Sequence, residues 1–337
     1  MAAFFFRTIT ADQASGYIAA ADSLDFEDAI ASQISVSFLA DQIAVTSGDR
    51  TVGFAPGISG DGDLSAAGGG RLQIGAAIDE NLQGGAAVDA LYGGQGADTL
   101  DGGDGGDLLQ GNQGADLLQG GGGSDVIYGG QGDDTIVTGL GPTEANWAQG
   151  NRGDDTITGV GSDTIYGGQG SDRITGGPGA GYLNGNLGDD SLQGSGGADT
   201  LIGEGGRDLL MGGGGADVFI FEAGASSLTA NGADVIADWQ ASDRIGLPQA
   251  GDYTELAPAP GNPDPYYGGG AGTPYTFATG LAAAQEAAVM NPGLRIVAVE
   301  VGADVVVYAD ADGQPGLDLA IVLTGVSLED INGLNFG

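Results

Sequence analysis

From Gly84 to Ile220 the chain returns about every nine residues to one short phrase, G-G-x-G-x-D-x-U-x, in which U is apolar. Gly93–Asp101 reads GGQGADTLD, Gly102–Gln110 GGDGGDLLQ and Gly120–Tyr128 GGGGSDVIY. After an interruption come Gly150–Thr158 (GNRGDDTIT), Gly167–Thr175 (GGQGSDRIT) and Gly212–Ile220 (GGGGADVFI). The opening residues of each unit must turn tightly, and glycine tolerates the positive φ angles this needs. Asn112, Asn151 and Asn186 replace glycine at the second position, and Asn is the next residue most at home in the left-handed region. The last three residues alternate, so their middle side chain points inward. That series is Leu91, Leu100, Leu109, Leu118, Ile127, Ile136, Ile157, Ile165, Ile174, Leu183, Leu192, Leu201, Leu210 and Phe219, and every member is apolar.

Two such units make one coil, with a strand on each side and a turn at each end. Stacked coils form two parallel sheets about one narrow core of Leu and Ile. A single unit cannot bury its core residue, so the array stands or falls as a stack. A metal-free glycine-rich linker is the competing reading, but linkers do not keep a strict apolar phase. Stacking also brings together the turn aspartates Asp89, Asp98, Asp107, Asp116, Asp125, Asp134, Asp155, Asp163, Asp172, Asp190, Asp199, Asp208 and Asp217. Two carboxylates about 5 Å apart repel by about 3 kcal/mol at an effective dielectric near 20. The stack should open without a counter-ion. A hard cation that accepts carboxylate and carbonyl oxygens together is the remedy, and Ca²⁺ suits an irregular all-oxygen cage better than Mg²⁺.

Composition narrows the chemistry. The 337 residues carry a net charge of −38 and 70 glycines, with no Cys, no His and no Lys; all eight basic residues are Arg. The absence of Cys means no disulfides, so a secreted chain must hold its shape another way. The absence of His removes imidazole zinc sites and Ser-His or Cys-His dyads. The absence of Lys removes a P-loop and Schiff-base catalysis, and no G-x-S-x-G occurs. Nucleic acid would be repelled across most of this surface. About ten bound calcium ions would bring the charge from −38 to roughly −18, a large fall in self-repulsion. The opening MAAFFFRTIT does not read as a Sec signal peptide, and no apolar run approaches the roughly 18–20 residues of a membrane span.

The repeats resemble, unit by unit, those of the RTX family, the hemolysin-type calcium-binding proteins exported by Gram-negative bacteria. The resemblance implies a parallel β-roll with calcium between successive turns, and export by a type I secretion apparatus that reads an uncleaved C-terminal signal. In that family the repeat aspartate and the carbonyls of its glycine turn are the ligands. Carried over, these are the thirteen aspartates above and the turns at Gly93, Gly102, Gly111, Gly120, Gly129, Gly150, Gly167, Gly185, Gly194 and Gly203. Some units depart from the pattern. Gly181 stands where an aspartate belongs in Gly176–Asn184, so that site is expected to be weakened or lost. Ala87 replaces the third glycine of Gly84–Tyr92, and Gly159–Tyr166 is one residue short. Thr138–Gln149 (TGLGPTEANWAQ) is an insertion that keeps a strand-like NWAQ. Its Trp147 marks either a contact surface or a wedge against the flank of the solenoid.

The expected organisation is an all-β chain in three parts: a β-rich N-terminal cap at 1–83, the roll at 84–221, and a C-terminal capping and secretion-signal region at 222–337. In the cap, Ile43–Thr46 and Thr51–Phe54 read as a hairpin. Leu72-Gln73-Ile74 and the stretch up to Leu82 read as degenerate coils. The cap is expected to be too short for a protease or lipase domain. Ala233–Leu247 resembles the capping segment that follows the repeats in serralysin-type proteases, with Asp234, Asp238, Asp243 and Trp239 at its acidic and aromatic positions. Ala278–Met290 reads as a helix stopped by Asn291-Pro292-Gly293. Arg295–Val301 with Asp304–Tyr308 reads as a hairpin, and Leu319–Leu323 as a strand. Asp310, Asp312 and Asp318 either chelate one more ion or form a plain Asx-Gly turn, and the turn is favoured. The final SLEDINGLNF resembles a type I secretion signal.

For function, the sequence favours a non-enzymatic structural protein that folds on calcium outside the cell. It would associate with itself into a surface layer, filament or matrix through open sheet edges. One alternative is a calcium-dependent adhesin for a cell-surface polysaccharide or receptor, with Trp147 and Tyr266-Tyr267 as contacts. Another is a carboxylate-only polysaccharide-acting enzyme, for which the flanks offer no distinctive acid pair.

Overall fold

Eighteen residues on from each strand lies its partner, because two nonapeptides close one coil: Leu108 pairs with Val126 and Leu117 with Thr135, both in parallel. The computed structural model describes residues 69–248, 276–291, 294–314 and 316–331. It also describes strand segments at 3–5, 23–26, 34–38, 43–47, 50–54, 60–66 and 252–256, and residue 336. The proline-rich stretch at 258–274, with Tyr266 and Tyr267, lies outside the described residues. The chain divides into two compact units, Met1–Gly168 and Gln169–Gly337.

In the first unit one parallel sheet runs through Arg71–Ile74, Ala90–Gln95, Leu108–Gln113, Val126–Gln131 and Trp147–Arg152. The facing sheet runs through Asn81–Gly85, Thr99–Gly103, Leu117–Gln119, Thr135–Val137 and Thr156–Thr158. Leu91, Leu109 and Ile127 from one sheet meet Leu82, Leu100, Leu118, Ile136 and Ile157 from the other, all buried. Burying each such side chain is worth about 1.5–3 kcal/mol relative to exposure. Across the insertion the pairing offset grows, with Val126 opposite Trp147 and Thr135 opposite Thr156. The NWAQ segment does form a strand, and its Ala148 occupies the inward slot with no exposure.

The degenerate coils expected before Gly84 are present, since Arg71–Ile74 and Asn81–Gly85 each join a sheet. The hairpin in the cap is also present, and the structure adds a third antiparallel strand, Ile34–Phe38, to Ile43–Ser47 and Arg50–Phe54. This small sheet covers part of the roll. Tyr92, on the outward face, is buried with its hydroxyl at the Val36 backbone, and burial pushes its pKa up to about 12.

In the second unit Tyr182–Leu187, Thr200–Gly205, Val218–Ile220 and Arg244–Gly246 form one parallel sheet. Arg173–Thr175, Ser191–Gln193, Leu209–Met211 and Asp234–Ile236 begin the other. The segment read as a cap is one further coil. Thr229–Ala237 and Asp238–Gly246 place Asp234 and Asp243 in the aspartate slot, and the buried Ile236 and Ile245 in the core slot. Beyond Asp234–Ile236 the sheet changes character. Leu319–Leu323 adds in parallel, then Asp304–Ala309 and Leu294–Val301 add antiparallel. The helix Phe277–Met290 lies on these strands through Ala283, Ala284 and Ala287, against Val297, Val299 and Tyr308. Thr276 caps it in a reciprocal box with Thr279, and it ends at Asn291, as the sequence predicts.

Candidate metal centre

The turns carry the site. In the regular coils the aspartate backbone N–H donates to the Oδ1 atom of the aspartate one coil further on. Asp98 N reaches Asp116 Oδ1 at 2.7 Å, Asp107 N reaches Asp125 Oδ1 at 2.8 Å, and Asp116 N reaches Asp134 Oδ1 at 2.8 Å. The same bond joins Asp89 to Asp107, Asp134 to Asp155, Asp172 to Asp190, Asp190 to Asp208, and Asp199 to Asp217. The result is a file of carboxylates along each long edge of the roll segments. Every one of these side chains is buried.

The second oxygen is different. The Oδ2 atoms of Asp98, Asp107, Asp116, Asp125, Asp134, Asp190, Asp199, Asp208, Asp217 and Asp234 accept no hydrogen bond and touch no solvent. A buried carboxylate oxygen with no partner is costly. Burial pushes these groups up against the opposing pull of the backbone N–H, and for most of them the charge of a neighbouring carboxylate adds to it. Asp107 rises to about 7, and Asp134, Asp190 and Asp234 to about 8. Asp98, Asp125, Asp199 and Asp208 rise to about 6, with burial again the largest cause.

Carbonyl oxygens converge on the same atoms. A Cβ placed on Gly93 would lie 2.5 Å from Asp98 Oδ2 and 2.7 Å from the Gly111 carbonyl oxygen. The Gly75, Gly84, Gly102, Gly111, Gly129, Gly150 and Gly194 positions are likewise pressed by the carbonyls of Gly93, Gly102, Gly120, Gly129, Gly150, Gly167 and Gly212. Gly185 and Gly203 face Asp190 Oδ2 and Asp208 Oδ2 directly. Glycine is therefore required at the head of the repeat for space: any side chain would fill the cradle between a carboxylate and a carbonyl. The second position is conformational, and Asn112, Asn151 and Asn186 hold φ of 78°, 80° and 70° there.

This donor set, all oxygen, anionic, buried and partly unsatisfied, fits Ca²⁺. The aspartate Oδ2 atoms and the turn carbonyls would hold it. The ion would supply the positive charge that the stacked carboxylates lack.

Three predicted positions differ from the rest. Asp163 has no spare oxygen: Oδ1 accepts from Asn146 N and Nδ2, and Oδ2 from Thr138 Oγ1, Val160 N and Gly161 N. Asp89, at the start of its file, accepts from Arg71 N on Oδ1 and from Gly85 N on Oδ2, both at 2.5 Å. Gly181 keeps the rung's hydrogen bond, with its N–H to Asp199 Oδ1 at 2.7 Å, but brings no carboxylate.

Sequence reasoning missed four positions in the files. Glu80 stands in the aspartate slot, accepting from Ala76 N. Asn146 takes that slot in the insertion and accepts Asp125 N at 2.9 Å. Asp234 and Asp243 continue the files, accepting from Asp208 N and Asp217 N. Ser226 ends one of them: its Oγ accepts Asp234 N at 2.7 Å and donates to the Ala320 carbonyl at 2.6 Å. The spacing of Asp234-x-Ile236 to Asp243-x-Ile245 was the available signal for the last coil. The Asp310, Asp312 and Asp318 carboxylates come together, and each also accepts a backbone N–H of its own loop.

Fold and site together define a calcium-binding parallel β-roll. Residues 74–219 are RTX calcium-binding nonapeptide repeats: the family model, which itself comprises 4 copies of the repeat, matches at 74–109, 110–142, 143–159, 158–183 and 184–219. No relative among curated proteins matches the chain. Among solved structures the chain is similar to the extracellular lipase LipA from Serratia marcescens, at 18% identity and a TM-score of 0.30. That alignment covers 79% of this chain and 39% of the lipase.

Proposed function

We propose that this is a secreted, non-catalytic structural protein that folds when it meets calcium outside the cell and then associates with copies of itself. The observation that carries the reading is the run of buried, unpartnered Oδ2 atoms, because it ties folding of the roll to the ion. Extracellular calcium suffices for sites of this kind, while cytosolic levels lie below the range typical of extracellular modules. A chain unfolded inside and folded outside suits a type I secretion apparatus. Self-association is supported by strand edges. Among the described strands, Ala3–Phe5 pairs only with Ser23–Phe26, and Asp252–Leu256 only with Leu294–Val301. Unpaired edges template further strands. The repeat carboxylates lie in hydrogen-bonded files rather than as an acid pair in a cleft, which supports a role without catalysis. Purified protein with calcium is expected to form ordered assemblies in negative-stain microscopy and light scattering, and chelator should disperse them. Persistent monomers at millimolar calcium would rule out the self-assembly reading.

A second reading, an adhesin for a cell-surface polysaccharide, is favoured by one feature. Tyr128, Trp147 and Tyr166 form a half-buried aromatic file on the outer sheet face, with ring centroids 4.9 Å and 5.8 Å apart. Trp147 thus packs between two tyrosines on the outer face of the sheet. Binding on a glycan array that the Trp147→Ala substitution removes would support this reading.

A further inference from the structure

The insertion breaks the repeat at the point where a carboxylate is due, and the structure shows what replaces it. Asp125 keeps the regular half of a site. It is 1% exposed, its Oδ2 has no hydrogen-bond partner, and a Cβ on Gly120 would lie 2.5 Å from that atom and against the Thr138 carbonyl oxygen. The Asp107 site has the same form, with Gly102 set between Asp107 Oδ2 and the Gly120 carbonyl. The other half differs. Asp107 is followed one coil on by Asp125, a second anion, whereas Asp125 is followed by the neutral Asn146. The hydrogen bond of the rung survives and its charge does not.

Glu144, two residues before Asn146, brings a carboxylate to the turn that carries Asn146. A Cβ on Gly139 would meet Glu144 Oε2 at 3.1 Å, the Gly121 carbonyl oxygen at 3.1 Å and Asn146 Nδ2 at 3.0 Å, so these groups converge. Gly141 N donates to Glu144 Oε2 at 2.8 Å, and Ser162 N donates to the Glu144 carbonyl at 3.1 Å, which ties the loop to the next coil. Beyond this rung Asp163 has five donors on its two oxygens and nothing left for an ion.

We infer that Glu144 is a calcium ligand that stands in for the missing repeat aspartate, forming with Asp125 and the Thr138 carbonyl a site that the nonapeptide pattern does not encode. The inference rests on the calcium reading of the repeats. The Asn146–Asp163 rung beside it is held by hydrogen bonds alone.

Trp147 gives this site its own reporter, because its backbone N–H donates to the Asp125 carbonyl at 2.9 Å, which fixes the residue beside the site. The test is a titration of the full chain with Tb³⁺, a luminescent stand-in for Ca²⁺, exciting tryptophan. The Trp147→Phe variant identifies the part of the emission that Trp147 sensitises. Glu144→Gln is expected to weaken that part by about tenfold in affinity, as loss of one charged ligand does. Circular dichroism at saturating calcium should show the same fold. Asp163→Asn is expected to leave the number of bound ions unchanged in calcium calorimetry. A Glu144→Gln curve that superimposes on the parent, or an ion lost from Asp163→Asn, would overturn the inference. Failure of the parent chain to take up either Tb³⁺ or Ca²⁺ would instead bring down the calcium reading of the whole roll.

Discussion

Asp134 shows how one residue serves two purposes. Its Oδ1 accepts Asp116 N at 2.8 Å and so continues the rung, while its Oδ2 is buried without a partner. Asparagine can do the first but not the second, as Asn146 demonstrates in the same fold. The Asp134→Asn variant should therefore fold on calcium but bind one ion at least about tenfold more weakly, read by calcium calorimetry. The same substitution should stabilise the calcium-free roll by removing a buried charge. Protons act on the same oxygens. Burial and stacking raise Asp107 to about 7 and Asp134 and Asp190 to about 8, against about 3.9 for aspartate in an unfolded chain. A group with its folded pKa raised stabilises the fold fully below the unfolded pKa, and that contribution is lost as pH rises through the folded pKa. Chelated protein should thus hold more β-structure near pH 4 than at pH 8, with the loss spread over about pH 4–8. A calcium-free circular dichroism series across pH would check this, and a rise in structure toward pH 8 would contradict it.

At the scale of strands and coils, the core is a single file from each sheet, so each inward residue has few substitutes. Leu118 is fully buried between the neighbours Leu100 and Ile136 of its own sheet. Truncating it to alanine leaves a cavity that a stacked coil cannot close, at a cost of about 2–5 kcal/mol. A denaturant melt of calcium-saturated Leu118→Ala should show that loss; a change below about 1 kcal/mol would mean the coils repack freely. The elements that could be read from the sequence are those in which every position of the period survives. The inward residues, the aspartate file and the left-handed Asn112, Asn151 and Asn186 follow from spacing and from which residues tolerate a tight turn. The coil at Thr229–Gly246 was harder to read, because the glycines that advertise a turn are mostly gone and only the Asp-x-Ile spacing remains. Asn146 and Glu144 were hidden by the insertion, which shifts the pairing offset so that no fixed period points to them. Ile34–Phe38 carries no repeat signal and is recognised only by its pairing with Ile43–Ser47.

Over the whole molecule, charge decides the state. A chain with a net charge of −38 opposes its own compaction, and its aspartates are concentrated where the coils must touch. Packing of one Leu or Ile per strand favours the stack, while paired carboxylates at about 5 Å oppose it by about 3 kcal/mol per contact. Apolar burial and electrostatics are therefore comparable in size, and calcium changes the sign of the second. Binding an ion to the folded form alone stabilises it by about 2.7 kcal/mol per site at a hundredfold excess over Kd, so several sites acting together should make folding steep in calcium. The most direct measurement is far-ultraviolet circular dichroism of the chelator-stripped full chain at pH 7.5 as calcium is returned. The expected result is a disordered spectrum that converts cooperatively to β-sheet as calcium rises from high micromolar to millimolar, and that reverts with chelator. Identical β-sheet spectra with and without calcium would contradict the claim that the ion holds the coils together.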